Sequence, residues 1–131
     1  MKAVTLEWIT KAEGDWNSAG RERRPRKAPN YNDTCYHCQQ CAEKYLKAKL
    51  QEASIAAPKT HNLPVLLGLV VPIDAVWSIL RPALLKLDDY GTDFRYPGND
   101  ASKADALEAY RFCQTVHTVR EVARRSFGLP V

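Results

Sequence analysis

The chain has 131 residues, 45% hydrophobic and 26% charged, which is the balance of an ordinary globular protein. That length fits one domain, residues 1–131, able to bury a core without disulfide or metal staples. No apolar run nears the ~18 residues of a membrane span, and Glu7, Glu13 and Asp15 interrupt the apolar run that a secretory signal needs. A cytoplasmic location with reduced cysteines is expected, and the net charge of +4 permits an anionic partner without requiring one.

Taken in chain order, Leu6, Ile9, Ala12, Trp16 and Ala19 recur at helical spacing, which predicts a first helix over roughly residues 4–20. Gly20 and the prolines of RERRPRKAPN are expected to end it in a loop. Asn32 or Asp33 can cap a second helix running to about Ala53. ASIAAPKTHNLP reads as a loop, VLLGLV as a short helix opened at Thr60 and His61, and VVPIDAVWSILRPALLKLDDY as a longer apolar helix that Pro82 kinks or breaks. GTDFRYPGND holds several turn formers and reads as a loop. Ser102 and Asp105 have the spacing of a capping box, and a last helix follows to about Ser126. Strand alternation and Asn-Gly or Asp-Gly hairpin turns are lacking. The expected fold is therefore all-α, an up-down bundle of about five helices.

Within the second helix, CYHCQQCAEKYLKAKL sets Cys35, Cys38 and Cys41 three residues apart. A zinc ribbon needs its cysteine pair on a turn and a second pair at a distance. This stretch is rich in helix formers, and Cys113 stands alone far along the chain. The cysteines are read as small buried hydrophobes, with Cys35 and Cys38 in the core stripe, Cys41 at its margin, and no metal. His37 is read as a surface or interface histidine. Of Gln39 and Gln40, one must lie at the core edge and bond a neighbouring helix or a second subunit, because an unpaired buried amide is costly. Trp8 and Trp16 share a helix face and are read as core or dimer aromatics.

The same stretch resembles the second helix of the HEPN domain family, through Gln39, Gln40, Ala42, Glu43, Lys44, Leu46 and Lys47. Trp8, Ala12, Asp15 and Ala19 resemble its first helix. Thr60–Leu63, THNL, resembles its entry to the third, and Arg95–Pro97, RYP, resembles the loop before its last helix. Four stretches in order span nearly the whole chain. The resemblance implies an all-α bundle, generally a homodimer, that binds a nucleotide or RNA or cleaves RNA. It also implies a partner protein, a minimal nucleotidyltransferase, in a toxin–antitoxin type system; no cofactor is expected.

RNase members of the family carry an arginine followed, four to six residues on, by a histidine. Arg111 and His117 enclose FCQTV and match that spacing. Their chemistry would need no metal: His117 would exchange a proton with the RNA 2′-hydroxyl or the leaving 5′-oxygen, and Arg111 would stabilise the charge on phosphorus. Two features oppose it. Phe112 stands where the family has a polar residue after the arginine. On a regular helix, six positions separate the two side chains by about 120° and ~9 Å along the axis, so they converge only if the helix starts late or a second copy contributes. The buried stripe is read as Phe112, Cys113, Val116, Val119 and Ala123, with Arg111 outside it and His117 near its edge. Val119 occupies the position at which some members present a tyrosine that the transferase modifies, so that mechanism is not carried over.

Two further groups could hold nucleic acid. Arg21, Arg23, Arg24, Arg26 and Lys27 surround a single acid in RERRPRK; such a run is a solvated loop or a grip on phosphates. Arg95 and Tyr96 can hold a phosphate and stack on a base, or can simply pair with a neighbouring acid and pack on the bundle. A non-catalytic dimeric interaction module is the remaining alternative. The cysteine reading has a direct test. Purified protein should carry well under one zinc per chain by elemental analysis, and a chelator should leave its melting temperature unchanged. Stoichiometric metal would overturn it, since structural zinc contributes directly to folding.

Overall fold

A computed structural model describes residues 1–23, 31–93 and 103–131; the side chains of Arg23, Tyr31, residues 90–93, 103–113 and Thr115 lie outside the description. Five α-helices run Ala3–Arg23 (α1), Tyr31–Glu52 (α2), Leu63–Val70 (α3), Arg81–Asp93 (α4) and Lys103–Ser126 (α5), with a 3-10 helix at Ala75–Leu80 before α4. Among the described residues there is no strand, and no helix is long and apolar enough to cross a membrane.

The centre of the molecule is α2, which packs against α1, α3, α4 and α5. A helix so surrounded is buried on most of its circumference. Cys35, Cys38, Cys41, Ala42, Tyr45, Leu46, Ala48 and Leu50 are all buried along it. Cys41, expected at the margin, is 0% exposed. A spacing of three drifts around the helix, but here the drift leads from one packed neighbour to the next. Burial, with Glu13 and Asp15 near it, pushes the Cys41 thiol well above its usual range and keeps it neutral.

The polar residues buried on α2 bond in place. Gln39 donates to the His61 carbonyl at 2.9 Å, and Gln40 donates to Gln39 Oε1 at 2.8 Å. The Glu43 carboxylate accepts from Lys47 Nζ at 3.1 Å and meets His61 Nδ1 at 2.9 Å. Lys47 in turn lies under the Trp8 ring, 5.7 Å from its centroid. The α1–α2 pair is pinned at one end by Glu52, which accepts from the Lys2 backbone N–H and from Thr5 Oγ1, each at 2.9 Å.

Helix boundaries differ from the sequence expectation in instructive places. Gly20 does not end α1, which continues to Arg23; Arg21 donates to Ser18 Oγ at 3.1 Å, and Glu22 reaches His37 on α2. Asn32 and Asp33 lie inside the first turn of α2, which starts at Tyr31, rather than before it. Asn62, not Thr60, caps α3: its side chain accepts from the Val65 N–H at 2.9 Å, while Thr60 Oγ1 accepts from the Asn62 N–H. The long apolar stretch is broken beside Pro82, as expected: the 3-10 helix ends at Leu80 and α4 starts at Arg81, so that Pro82, like Pro64 in α3, is the second residue of its helix, where an N–H would lack an acceptor anyway. Gly91–Asp93, expected as loop, still belong to α4. Ser102 lies outside the described residues, so the capping box does too.

On α1 the buried face is Thr5, Ile9, Ala12, Asp15 and Ala19, and Leu6 is exposed. On α5 Val116, Val119 and Ala123 are buried. Trp77 is fully buried, with Nε1 donating to Ser126 Oγ at 3.3 Å and Phe127 edge-on to its ring. Lys49 donates to the same Ser126 oxygen at 2.7 Å and pairs with Asp74 at 3.4 Å. After α5, the Leu129 N–H bonds the Arg124 carbonyl at 2.8 Å and the Gly128 N–H bonds that of Arg125 at 3.0 Å. This is a Schellman closure that needs the left-handed φ of 71° at Gly128.

The buried Glu43–Lys47 pair makes a quantitative prediction. Lys47→Ala takes the lysine partner from a buried carboxylate, and removal of one member of such a pair costs about 3 kcal/mol. Urea denaturation should show that loss, and the double variant Glu43→Gln/Lys47→Met should recover much of it. A cost near zero for Lys47→Ala would mean that the pair is dispensable.

Candidate nucleotide-binding face on α1, α2 and α5

His117, on α5, is the sequence-predicted site residue that the structure places most fully. Its side chain is 51% exposed, and its nearest charged partner among the described residues is Glu121 Oε1 at 4.0 Å. The imidazole lies nearly flat against Trp16 of α1, ring centroids 5.7 Å apart and planes inclined by 29°. Arg120, one turn further along α5, approaches the same indole at 5.7 Å. Trp16 is half-buried: one side packs against the hydrophobic core and the rest reaches the surface.

Arg120 is fixed by Glu13 of α1 through two parallel bonds, Nε to Oε2 at 2.8 Å and Nη2 to Oε1 at 2.7 Å. Arg124 adds a bond from Nη1 to Glu13 Oε1 at 2.7 Å and one to the Tyr45 hydroxyl oxygen at 3.4 Å. Burial raises the Glu13 carboxyl, but hydrogen bonds from Arg120 and the charges of both arginines outweigh it and hold the group below its ordinary value. Burial pushes the Tyr45 hydroxyl above its usual range, so it stays protonated.

Beside this lies a second set of charges. Asp15 accepts from Lys44 Nζ at 2.5 Å and meets His37 Nδ1 at 2.9 Å. The other ring nitrogen of His37 stands 3.3 Å from Glu22 Oε1, at ion-pair distance but without an aligned hydrogen bond. His37, read from the sequence as a surface or interface residue, is half-buried and ties α2 to the end of α1. Burial, with Asp33 nearby, raises the Glu22 carboxyl.

Of the other predicted site residues, only Arg21 has a described side chain. Arg21 is exposed at the end of α1. Arg23 ends that helix and its side chain lies outside the description, as do Arg24, Arg26, Lys27, Arg95 and Tyr96 entirely. Arg111 stands on α5, which runs without interruption from Lys103. The helix therefore does not start late, and the Arg111 side chain lies outside the description. Glu13, Tyr45, Arg120 and Arg124 were not singled out by the sequence reading. Glu13 and Arg120 lie 107 residues apart in the chain, and neither has a spacing signature. Among the described residues no group of His, Cys, Asp or Glu is arranged to hold a metal ion.

An all-α bundle with a buried central helix and a charged, aromatic-bearing α1–α5 face is the class of protein this geometry defines. The family model for the HEPN domain matches residues 5–123, and the chain belongs to that family. Membership gives it a nucleotide- or RNA-related role in general terms. No curated protein and no solved structure matches it.

The depressed Glu13 carboxyl carries a pH consequence. Its folded value lies below the ordinary 4.5, so its stabilisation is complete above that value and is lost as pH falls through the folded one. Melting temperatures between about pH 3 and about pH 7 should fall at the acid end, and Glu13→Gln should flatten that part of the curve. An unchanged acid slope in the variant would contradict this assignment.

Proposed function

We propose that this HEPN protein is a homodimer that binds a nucleotide or RNA without altering it, and that it acts beside a minimal nucleotidyltransferase in a toxin–antitoxin type system. The observation that supports binding is the exposed His117 imidazole lying flat on Trp16 with a guanidinium on the same indole. Flat rings beside a cation are the surface on which single-stranded bases stack. Phe112, in place of a polar residue after Arg111, favours the non-catalytic form. Dimerisation draws support from exposed apolar side chains on α3, the 3-10 helix and α4, among them Leu69, Val76, Ile79 and Leu85. Trp77 is fully buried and offers no surface to a partner. The basic run from Arg21 to Lys27 would add phosphate contacts that do not read sequence.

The second reading is a metal-independent endoribonuclease using Arg111 and His117. In its favour, His117 is solvent-exposed and so placed to exchange a proton with a 2′-hydroxyl. Because the two residues diverge along α5, that reading requires the second copy to complete the site. The attacking group would be the RNA's own 2′-hydroxyl, and the product a 2′,3′-cyclic phosphate.

Single-stranded oligoribonucleotide followed by fluorescence anisotropy, with EDTA present, tests both readings. Wild type should bind, affinity should fall as salt rises, and His117→Ala should weaken binding about tenfold, in line with the ~1–3 kcal/mol that stacking contributes per base. The oligonucleotide should be recovered intact. Absence of binding at millimolar protein would overturn the proposal. Cleavage that leaves cyclic phosphate ends, and that Arg111→Ala and His117→Ala each abolish, would replace it with the enzyme reading.

A further inference from the structure

The Glu13 cluster has the form of an occupied anion site. Two guanidiniums from α5 converge on one carboxylate, Arg120 with two parallel bonds and Arg124 with a third. Parallel N–H···O pairs of this kind are how arginine holds a phosphate as well as a carboxylate. The charge does not balance within the cluster: two positive groups share one negative group, the Tyr45 hydroxyl is protonated, and the adjacent Cys41 thiol is neutral. Asp15, the next acid along α1, is already engaged by His37 and Lys44. Nor is the cluster sealed. The side chains of Glu13, Arg120 and Arg124 keep 22%, 16% and 15% of their exposure. Trp16 lies about one turn further along α1, with its ring against Arg120 and His117.

We propose that Glu13 is an internal stand-in for a phosphate, and that Arg120 and Arg124 receive the terminal phosphate of a nucleotide or of a 5′-phosphorylated RNA, which displaces the carboxylate while its base stacks beside Trp16 and His117. This rests on the nucleotide- or RNA-binding reading above and specifies its ligand. Charge decides the preference. A terminal phosphate carries about −1.5 to −2 at neutral pH, against the single charge of Glu13. An internal phosphodiester carries one charge, the same as the carboxylate it would have to displace, and gains nothing by the exchange. Glu13 thus lowers affinity for all anions but penalises singly charged ones most. It turns an arginine pair into a reader of phosphate ends.

The test compares one short oligoribonucleotide carrying a 5′-phosphate with the same oligonucleotide carrying a 5′-hydroxyl, and adds a nucleoside monophosphate as competitor. With the wild-type chain, the phosphorylated form should bind roughly tenfold or more tightly, a difference of about one strong charge-assisted contact. Glu13→Gln should tighten binding of both forms and narrow the gap between them. That variant leaves two arginines with a weaker partner and is expected to melt lower, so Arg124→Gln, which keeps the Glu13–Arg120 pair, is the companion: it should bind both forms nearly equally. The nucleoside monophosphate should displace the phosphorylated oligonucleotide if the site takes a free nucleotide, and should fail to do so if it needs an RNA end. Equal affinity of wild type for the two oligonucleotides, or weaker binding by a folded Glu13→Gln, overturns this inference and leaves the binding reading in place. No binding of either form overturns both.

Discussion

Burial of α2 on most of its circumference obliges the polar groups it carries to find partners on the elements around it. An unsatisfied buried amide or charge costs kilocalories, and α2 carries Thr34, Gln39, Glu43 and Lys47 in buried positions. Their bonds select the surroundings. Gln39 holds the backbone at His61, and Glu43 holds the His61 ring. Together they fix the point from which α3 starts. Lys49 holds Ser126 and Asp74, joining the end of α5 to the start of the 3-10 helix. The order of the bundle follows from these obligations as much as from apolar packing.

The same constraint shapes the α1–α5 face. Tyr45 and Cys41 lie on the side of α2 below Glu13, and neither offers a negative charge. Arg120 and Arg124 therefore find their carboxylate across on α1, and in reaching it they draw α5 alongside Trp16. His117, one turn earlier, comes to rest on that indole with its outer half in solvent. A structural necessity, the pairing of two arginines, thus positions the aromatic and cationic groups that the functional reading uses.

Helix content was legible in the sequence because apolar residues recur at helical spacing and because Pro, Gly and Asn mark the ends. Asn62, Pro64 and Gly128 sit where such residues sit in other proteins. What was not legible depended on long-range pairing. Gly20 reads as a stop, yet α1 passes through it to Arg23. Leu6 reads as core, yet Thr5 is buried in its place because Glu52, near the end of α2, accepts its hydroxyl. Cys41 reads as marginal because a periodicity plot cannot register that α2 has neighbours on every side. In the candidate site, His117 was named through the resemblance to the family's RNase members, by its distance from Arg111. Glu13, Arg120 and Arg124 were not found, because isolated charges on helical faces look solvated until the partner helix is in view.

In the proposed binding mode, ligand phosphate enters the Glu13 cluster and the base lies on the Trp16–His117 face. The most direct measurement is nuclear magnetic resonance of the arginine side-chain N–H groups and tryptophan indoles during titration with a nucleoside monophosphate. Arg120, Arg124 and Trp16 signals should shift together and saturate at one ligand per chain, while the buried Trp77 indole stays in place. Saturable shifts that spare Arg120 and Arg124 would contradict it.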